Sequence, residues 1–336
     1  MFFGFDEDQI AVKEAVGALL DKRAGLTVLQ QAWSDPAGPA AWAVWPDLAD
    51  MGVQGLLAPE SAGGSDLGWV TMTLVLSEAG RVALPLPLAE TAAIGVPLLV
   101  SAGDPAGVLG SLVAGRAVVT VASGIGEADS GERPRAPAAS RADWFVLGDR
   151  LYGRDDVVLR PVASVDATRD LAEVEALGEG LVVGSPLEFG ALAAAAVLVG
   201  LGRALVSTTV DYVKDRHQFG VPVGSFQAVK HQLADAAMHV EFAAPAVWAA
   251  AWEMDQRGGD VGNIGEVARS VSLAKALASD AAERAARTAL QCHGAMGYTD
   301  DYHLHLWLKR VWCLSPAFGS ARWHRRRVGV DMGLHG

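Results

Sequence analysis

Apolar positions along this chain follow a helical period at both ends and a shorter, strand-like period in the middle. Asp6 with Gln9 three residues on reads as an N-cap and capping box. Ile10, Val12, Val16, Leu19 and Leu20 then form one apolar face running to about Arg23. Pro36 to Pro39 is a loop, and Ala40 to Met51 predicts a short helix that restarts at Pro46 and ends at Gly52. A loop through Pro59, Glu60, Gly63 and Gly64 precedes a helix from about Gly68 to Arg81. Beyond Pro85 and Pro87 the pattern predicts another, Leu88 to Ser101, kinked at Pro97.

From Val108 to Gly184 short β-branched runs, Val118–Val121, Trp144–Leu147, Val157–Leu159 and Leu181–Val183, are separated by Gly, Pro and Asp clusters. They predict a small, turn-rich β domain, with Ser130 to Ser140 as a polar, proline-bearing loop. Helical period returns over roughly Glu188–Arg216, Phe226–Arg257, Val261–His293 and His303–Val330. Alanine-rich faces on all of these suggest an antiparallel bundle. The expected fold is mainly α with a small middle β domain: a helical N-terminal domain over residues 1–107, the β domain over 108–184 and a helical bundle over 185–336.

Composition narrows the function classes. At 336 residues the chain is long enough for several packed units around a large core. A net charge of −12 argues against nucleic acid and anionic membrane surfaces as general partners. Cys292 and Cys313 lie in apolar helical contexts and suggest no disulfide framework. The start, Met1-Phe2-Phe3-Gly4, lacks the basic and apolar regions of a signal peptide, and the most apolar run, Ala191–Gly202, stops at Arg203. A soluble, cytoplasmic protein is expected.

Candidate chemistry concentrates in two stretches. Asp215-Arg216-His217-Gln218-Phe219-Gly220, followed by Gly224-Ser225-Phe226-Gln227, interrupts two long helices with a polar turn. An arginine and a phenylalanine so placed can offer a guanidinium fork to a phosphate and an apolar face to a ring. Alone, the same residues equally suit a helix end with a favourable cation and a core phenylalanine. The second stretch, Gln291-Cys292-His293-Gly294-Ala295-Met296-Gly297-Tyr298-Thr299, ends another long helix with two glycines and a threonine. Together with Gly52–Pro59, Gly63-Gly64 and Ser77-Glu78-Ala79-Gly80-Arg81, these motifs resemble the acyl-CoA dehydrogenase family. The likeness spans nearly the whole chain and is weakest from about Val118 to Leu181.

That resemblance implies FAD as cofactor and α,β-dehydrogenation of an acyl-CoA thioester, with an electron-transfer flavoprotein or similar protein as acceptor. It implies pyrophosphate contact by Arg216, contact with the flavin's surroundings by Phe219 and Gln227, and contact with the adenosine end by Gln291, Gly294 and Ala295, reaching across a subunit interface. Ala295 departs from the glycine that is commoner there. The family's catalytic glutamate falls on Phe318, in Ser315-Pro316-Ala317-Phe318-Gly319-Ser320, and the alternative base position falls near Ala191. Neither side chain exchanges a proton. Glu188 is the nearest substitute, although a first-turn glutamate also simply complements the helix dipole. The family's flavin-ring loops find no good match in Val118–Gly126 or beyond.

Lost base and ring loops beside retained adenosine-end motifs resemble the shorter, non-catalytic subunit of actinobacterial α2β2 acyl-CoA dehydrogenases. Sterol side-chain thioesters are the substrates suggested by that analogy. The alternatives are a self-sufficient homotetramer with an unconventional base and a flavin-free acyl-CoA-binding or assembly protein of the same fold. Lys309, Arg310, Arg322, Arg325, Arg326 and Arg327 make the C-terminal region basic, suited either to CoA phosphates or an acidic partner, or to a solvated helix end. His303 and His305 point to different helix faces, which argues against a metal site.

Overall fold

The computed structural model describes residues 4–122, 133–256 and 264–334. Its N-terminal part is helical: α1 (Glu7–Arg23), α2 (Leu26–Ser34), α3 (Pro39–Trp42), α4 (Val44–Asp50), α5 (Gly68–Arg81), α6 (Val96–Ala102) and α7 (Leu109–Val113). The capping box at α1 forms as expected. Asp6 Oδ1 accepts from the Gln9 amide at 2.8 Å, and Gln9 Oε1 accepts from the Asp6 amide at 3.1 Å. Two expectations need correction here. The break between α3 and α4 falls at Ala43 rather than at Pro46. The segment expected to kink at Pro97 instead opens as a π-helical stretch, Ala89–Gly95, with Pro97 in the first turn of α6. Thr91 Oγ1 donates to the Val119 carbonyl at 2.8 Å and ties this stretch to the first strand.

The middle part contains β1 (Val119–Ala122), β2 (Arg135–Ala136), β3 (Trp144–Leu147), β4 (Arg150–Gly153), β5 (Val157–Pro161), β6 (Ala172–Ala176) and β7 (Leu181–Val182). One sheet runs in the order β1-β3-β4-β7, with β1 parallel to β3, and a second runs β2-β6-β5. Of the predicted 130–140 loop, residues 130–132 lie outside the described residues, and Arg135-Ala136 pairs with Glu173-Ala172 instead of remaining irregular.

The remainder is α8 (Leu187–Asp215), a hairpin of β8 (His217–Gln218) and β9 (Val221–Pro222), then α9 (Gln227–Gln256), α10 (Ile264–His293), α11 (Leu304–Leu314) and α12 (Ala321–Asp331). The last predicted helix is therefore two helices. The Ser315–Ser320 turn separates them, with Phe318 at φ +55° and Gly319 at φ +102°, conformations no helix continues through. Helix α8 is long and apolar enough to cross a membrane by length and composition, yet Phe189, Leu192, Leu198 and Leu201 are fully buried and it forms the core of the bundle.

Small residues let α8 pack that closely. A Cβ on Gly200 would lie 1.9 Å from the Ser77 carbonyl oxygen of α5, and one on Gly80 would lie 2.2 Å from the Val197 carbonyl oxygen. At each crossing the obstacle is backbone, which cannot rotate aside. Gly200→Ala is expected to force α5 and α8 apart and cost about 1–3 kcal/mol, the usual range for overpacking. A lowered thermal midpoint in circular dichroism measures it.

Side chains from one region also cap the backbone of another. The Asp255 carboxylate of α9 accepts from the Trp69 and Val70 amides at 2.5 and 3.1 Å, filling the N-terminus of α5. Trp307 of α11 donates to the Arg81 carbonyl at 2.9 Å. Arg310 joins all three regions: it pairs with Asp166, donates to the Leu84 carbonyl at 2.8 Å and to Thr168 Oγ1 at 2.6 Å. This arginine, expected within a basic surface cluster, is only 8% exposed.

Candidate functional site

The two sequence motifs meet at one end of the bundle. Helices α8 and α10 finish side by side: Tyr212 stacks on His293 with ring centroids 4.1 Å apart, and its hydroxyl donates to the His293 carbonyl at 3.4 Å. At Arg216 the chain leaves α8 with ψ 117°, and the Val223 amide donates back to the Arg216 carbonyl at 2.7 Å, closing the β8–β9 hairpin. Phe219 and Gly220 form its tip at φ +56° and +81°. A bulky residue in the left-handed region is held there at a cost of about 1–3 kcal/mol.

That geometry excludes the core-phenylalanine reading. Phe219 is 91% exposed, and its ring meets only the edge of Phe226 at 6.3 Å among the described aromatic rings. Arg216, Gln227, Gln291, Gly294 and Ala295 are exposed as well, with Gly294 at φ +59°. The Arg216 guanidinium makes no ion pair among the described residues. All six predicted cofactor residues thus lie on exposed surface where α8, α9 and α10 end or begin. A cation that makes no ion pair among the described residues, an aromatic face and an open backbone turn form a donor set that fits a dinucleotide's phosphate and ring. The predicted flavin-ring region is only half visible: Val118–Ala122 forms β1, while Ser123-Gly124-Ile125-Gly126 lies outside the described residues.

A second feature is a cavity at the junction of all three regions. Leu76, Leu84, Ile94, Ala193, Val197 and Phe318 supply apolar wall, and Glu90 and Arg169 supply charge. Phe318, the residue at the expected base position, is 6% exposed and packs over Gly190, where a Cβ would lie 2.3 Å from its ring. Its turn is held from beneath. Lys275 Nζ donates to the Ser315 carbonyl at 2.7 Å, the Gly319 carbonyl at 3.2 Å and Ser279 Oγ at 3.0 Å, matching three donors to three acceptors. Burial lowers this amine to about 7. His324 Nε2 donates to the Phe318 carbonyl at 2.9 Å, which leaves Nδ1 to accept from Ser272 Oγ at 3.0 Å.

Glu188, the substitute suggested by the sequence, lies in an ion pair. Its Oε1 accepts from Arg327 at 2.5 Å, it is 4% exposed, and it does not line the cavity. Burial raises its carboxyl above the usual range, opposed by the hydrogen bond and charge of Arg327. The ion pair turns this glutamate into a fastener between α8 and α12. Arg325 likewise pairs with Asp280 of α10, and Lys309 with Asp300 at 3.4 Å. Much of the basic C-terminal cluster is thereby committed to internal pairs, while Arg322, Arg325 and Arg326 stay exposed.

One residue of the cavity escaped sequence reasoning. Glu90 was hidden as an ordinary first-turn glutamate of a predicted helix. Its isolation in the apolar run Leu86–Ile94, just after two prolines, was the available signal.

Comparison with known proteins agrees with this architecture. Residues 6–107 match the model of the acyl-CoA dehydrogenase N-terminal domain and residues 178–332 that of the C-terminal domain. The chain belongs to the acyl-CoA dehydrogenase family, oxidoreductases that act on CH–CH bonds. It is similar to acyl-CoA dehydrogenase IpdE2 of Mycobacterium tuberculosis, at 28% identity over 97% of this chain and 98% of that protein. Among solved structures it resembles the ChsE4-ChsE5 complex of Mycobacterium tuberculosis, with a TM-score of 0.86, 23% identity and full coverage of both chains. The Tcur3481-Tcur3483 steroid acyl-CoA dehydrogenase G363A variant aligns with a TM-score of 0.83 at 23% identity, over 97% of this chain and 98% of that one.

Proposed function

We propose that this chain is the non-catalytic subunit of a heteromeric, FAD-dependent acyl-CoA dehydrogenase. The observation that carries the reading is a combination within one chain: an exposed Arg216 that makes no ion pair among the described residues, close in sequence to Phe219, and a buried Phe318 where the family's base belongs. Arg216 would hold the pyrophosphate, Phe219 and Gln227 the flavin's surroundings, and Gln291, Gly294 and Ala295 the adenosine end, for FAD shared with a partner subunit. When bound, FAD accepts the hydride from the acyl β-carbon. This chain's residues bind and orient the cofactor, and the α-proton is removed by a carboxylate of the partner, because Phe318 and Ala191 hold no exchangeable proton. The likeness to a two-component complex and to a steroid acyl-CoA dehydrogenase supports a heteromeric assembly and a sterol-derived thioester. Cytoplasmic location belongs to the same proposal. The self-sufficient homotetramer is disfavoured by Glu188, whose Oε1 is paired with Arg327 and which does not line the cavity. A flavin-free role leaves the exposed, strained Phe219 without a use.

Flavin content tests the reading. The chain purified alone is expected to be colourless, and the chain purified with its partner dehydrogenase to carry about one FAD per two chains. Arg216→Ala is expected to lower flavin occupancy of the assembly by about tenfold or more, as loss of a charge-assisted phosphate contact implies. Full occupancy in that variant would remove Arg216 from the cofactor site.

A further inference from the structure

The outer face of the bundle is apolar where a solvated helix face is normally polar. On α9, Met238, Phe242 and Trp252 are 47%, 73% and 57% exposed, and Pro245 and Ala249 are exposed between them. Steps of four, three, four and three residues keep these five on one stripe. On α10, Leu273 and Leu277 continue the face at 45% and 46% exposure. Phe242 and Leu277 line one groove between the two helices, with the buried Ala243 and Ala281 beneath them. An apolar stripe of this length, about 21 Å from Met238 to Trp252, is unfavourable in water and marks a surface that another protein covers.

The order of the residues identifies the occupant. A two-fold axis lying across the helices sets each helix against its own copy, running in reverse, so a self-complementary contact needs stripes that match when read from either end. On α9, Met238 and Trp252 lie seven residues either side of Pro245, and Phe242 and Ala249 lie three and four. Reversal sets Phe242 on Ala249, a large side chain on a small one, and the flexible thioether of Met238 on the Trp252 ring. On α10, Leu273 falls on Leu277, and Arg269 on one flank falls on Asp280 from the other. Arg269 and Asp280 already sit in exposed pairs with Asp331 and Arg325, so the contact joins opposite charges and opposes no like ones at these positions. The two centres also coincide. Arg284 donates to Asp235 at 2.7 Å and Ser270 donates to Glu253 at 2.6 Å, fixing α9 and α10 antiparallel. Between these two rungs Pro245 comes level with the turn that carries Leu273 and Leu277. One axis therefore serves both stripes.

We infer that this face binds a second copy of the same chain through a two-fold contact centred on Pro245. The contact does not depend on the cofactor reading. Leu277 precedes Gln291 by 14 residues, about 21 Å along α10, so the Arg216–Phe219 end stays free. Reversed packing points the two cofactor ends in opposite directions. In the proposed heteromer the two copies then form the centre, with one partner dehydrogenase at each end.

Sedimentation velocity and chemical cross-linking of the full-length chain test this. The natural chain alone is expected to be a dimer at micromolar concentration. Phe242→Glu is expected to weaken that dimer about a hundredfold or more, because symmetry counts the substitution twice, while leaving the helical circular dichroism unchanged. A short bismaleimide reads the register, with the natural Cys292 and Cys313 supplying the baseline. Pro245→Cys is expected to cross-link to its own copy. Met238→Cys is expected to cross-link to Trp252→Cys when the two variants are mixed, and neither to itself. A monomeric natural chain, a dimer indifferent to Phe242→Glu, or self-linking of Met238→Cys would overturn the inference. Capture of Pro245→Cys by the partner dehydrogenase instead of by a second copy would overturn it too. Flavin bound per pair of chains should be the same with and without Phe242→Glu, so a colourless natural assembly counts against the cofactor reading alone.

Discussion

Arg310→Ala is expected to lower unfolding stability by about 3–5 kcal/mol, the cost of leaving a buried charge without its partner. Asp166, which would remain, is 1% exposed. Burial works to raise its carboxyl, and the charge of Arg310, with hydrogen bonds from Thr168 and Arg310, overcomes this and holds it below the usual carboxylate range. The variant also leaves the Leu84 carbonyl without its donor. These groups belong to the N-terminal part, the β part and α11, so the loss should loosen all three together. A urea titration followed by tryptophan fluorescence measures it, because Trp307 of α11 lies on the same seam. Combining Arg310→Met with Asp166→Asn removes both charges and should recover a substantial part of the loss. A double variant as unstable as Arg310→Ala would show that the ion pair is not the reason.

The second large effect depends on pH. Burial, then the nearby charges of Lys275 and Arg327, lower His324 to about 4, although its bond to the Phe318 carbonyl works the other way. In the unfolded chain an imidazole titrates near 6.5. A base held neutral in the fold contributes stability that is complete above about pH 6.5 and is lost as pH falls towards 4. A separation of that size corresponds to about 3 kcal/mol, counted at 1.36 kcal/mol per unit. Lys275, lowered to about 7, is already charged across this window, so a protonated His324 adds a second cation under the same turn. Thermal midpoints measured from pH 7 to pH 4 should therefore fall more steeply for the natural protein than for His324→Gln. Equal slopes would place the acid sensitivity elsewhere. The first structure to yield should be the Ser315–Ser320 turn that positions Phe318.

Legibility followed the range of the interactions concerned. The α1 capping box depends on residues three apart, and α1 begins and ends where the sequence places it. The strand Trp144–Leu147 is a β-branched and aromatic run whose own composition suffices. Strands β4 and β6 carry no comparable run: Arg150-Leu151-Tyr152-Gly153 and Ala172–Ala176 are strands because β3 and β5 offer them edges. The division of the last helix was visible only as a turn motif around Phe318, and the alanine-rich period on either side concealed its consequence.

By itself the sequence determined the mainly helical fold with its β insert, the family and the absence of an exchangeable proton at Phe318 and Ala191. These follow from local periodicity and from side-chain identity at motif positions. Tertiary structure alone decided that Phe219 is exposed rather than buried, that Glu188 is tied to Arg327, that Arg310 is a clamp and that Glu90 faces a cavity. Each of those depends on partners far along the chain, 139 positions for Glu188 and Arg327 and 226 for Arg310 and Leu84. Periodicity reports which face of an element is apolar. Only packing reports which charged groups that face will meet.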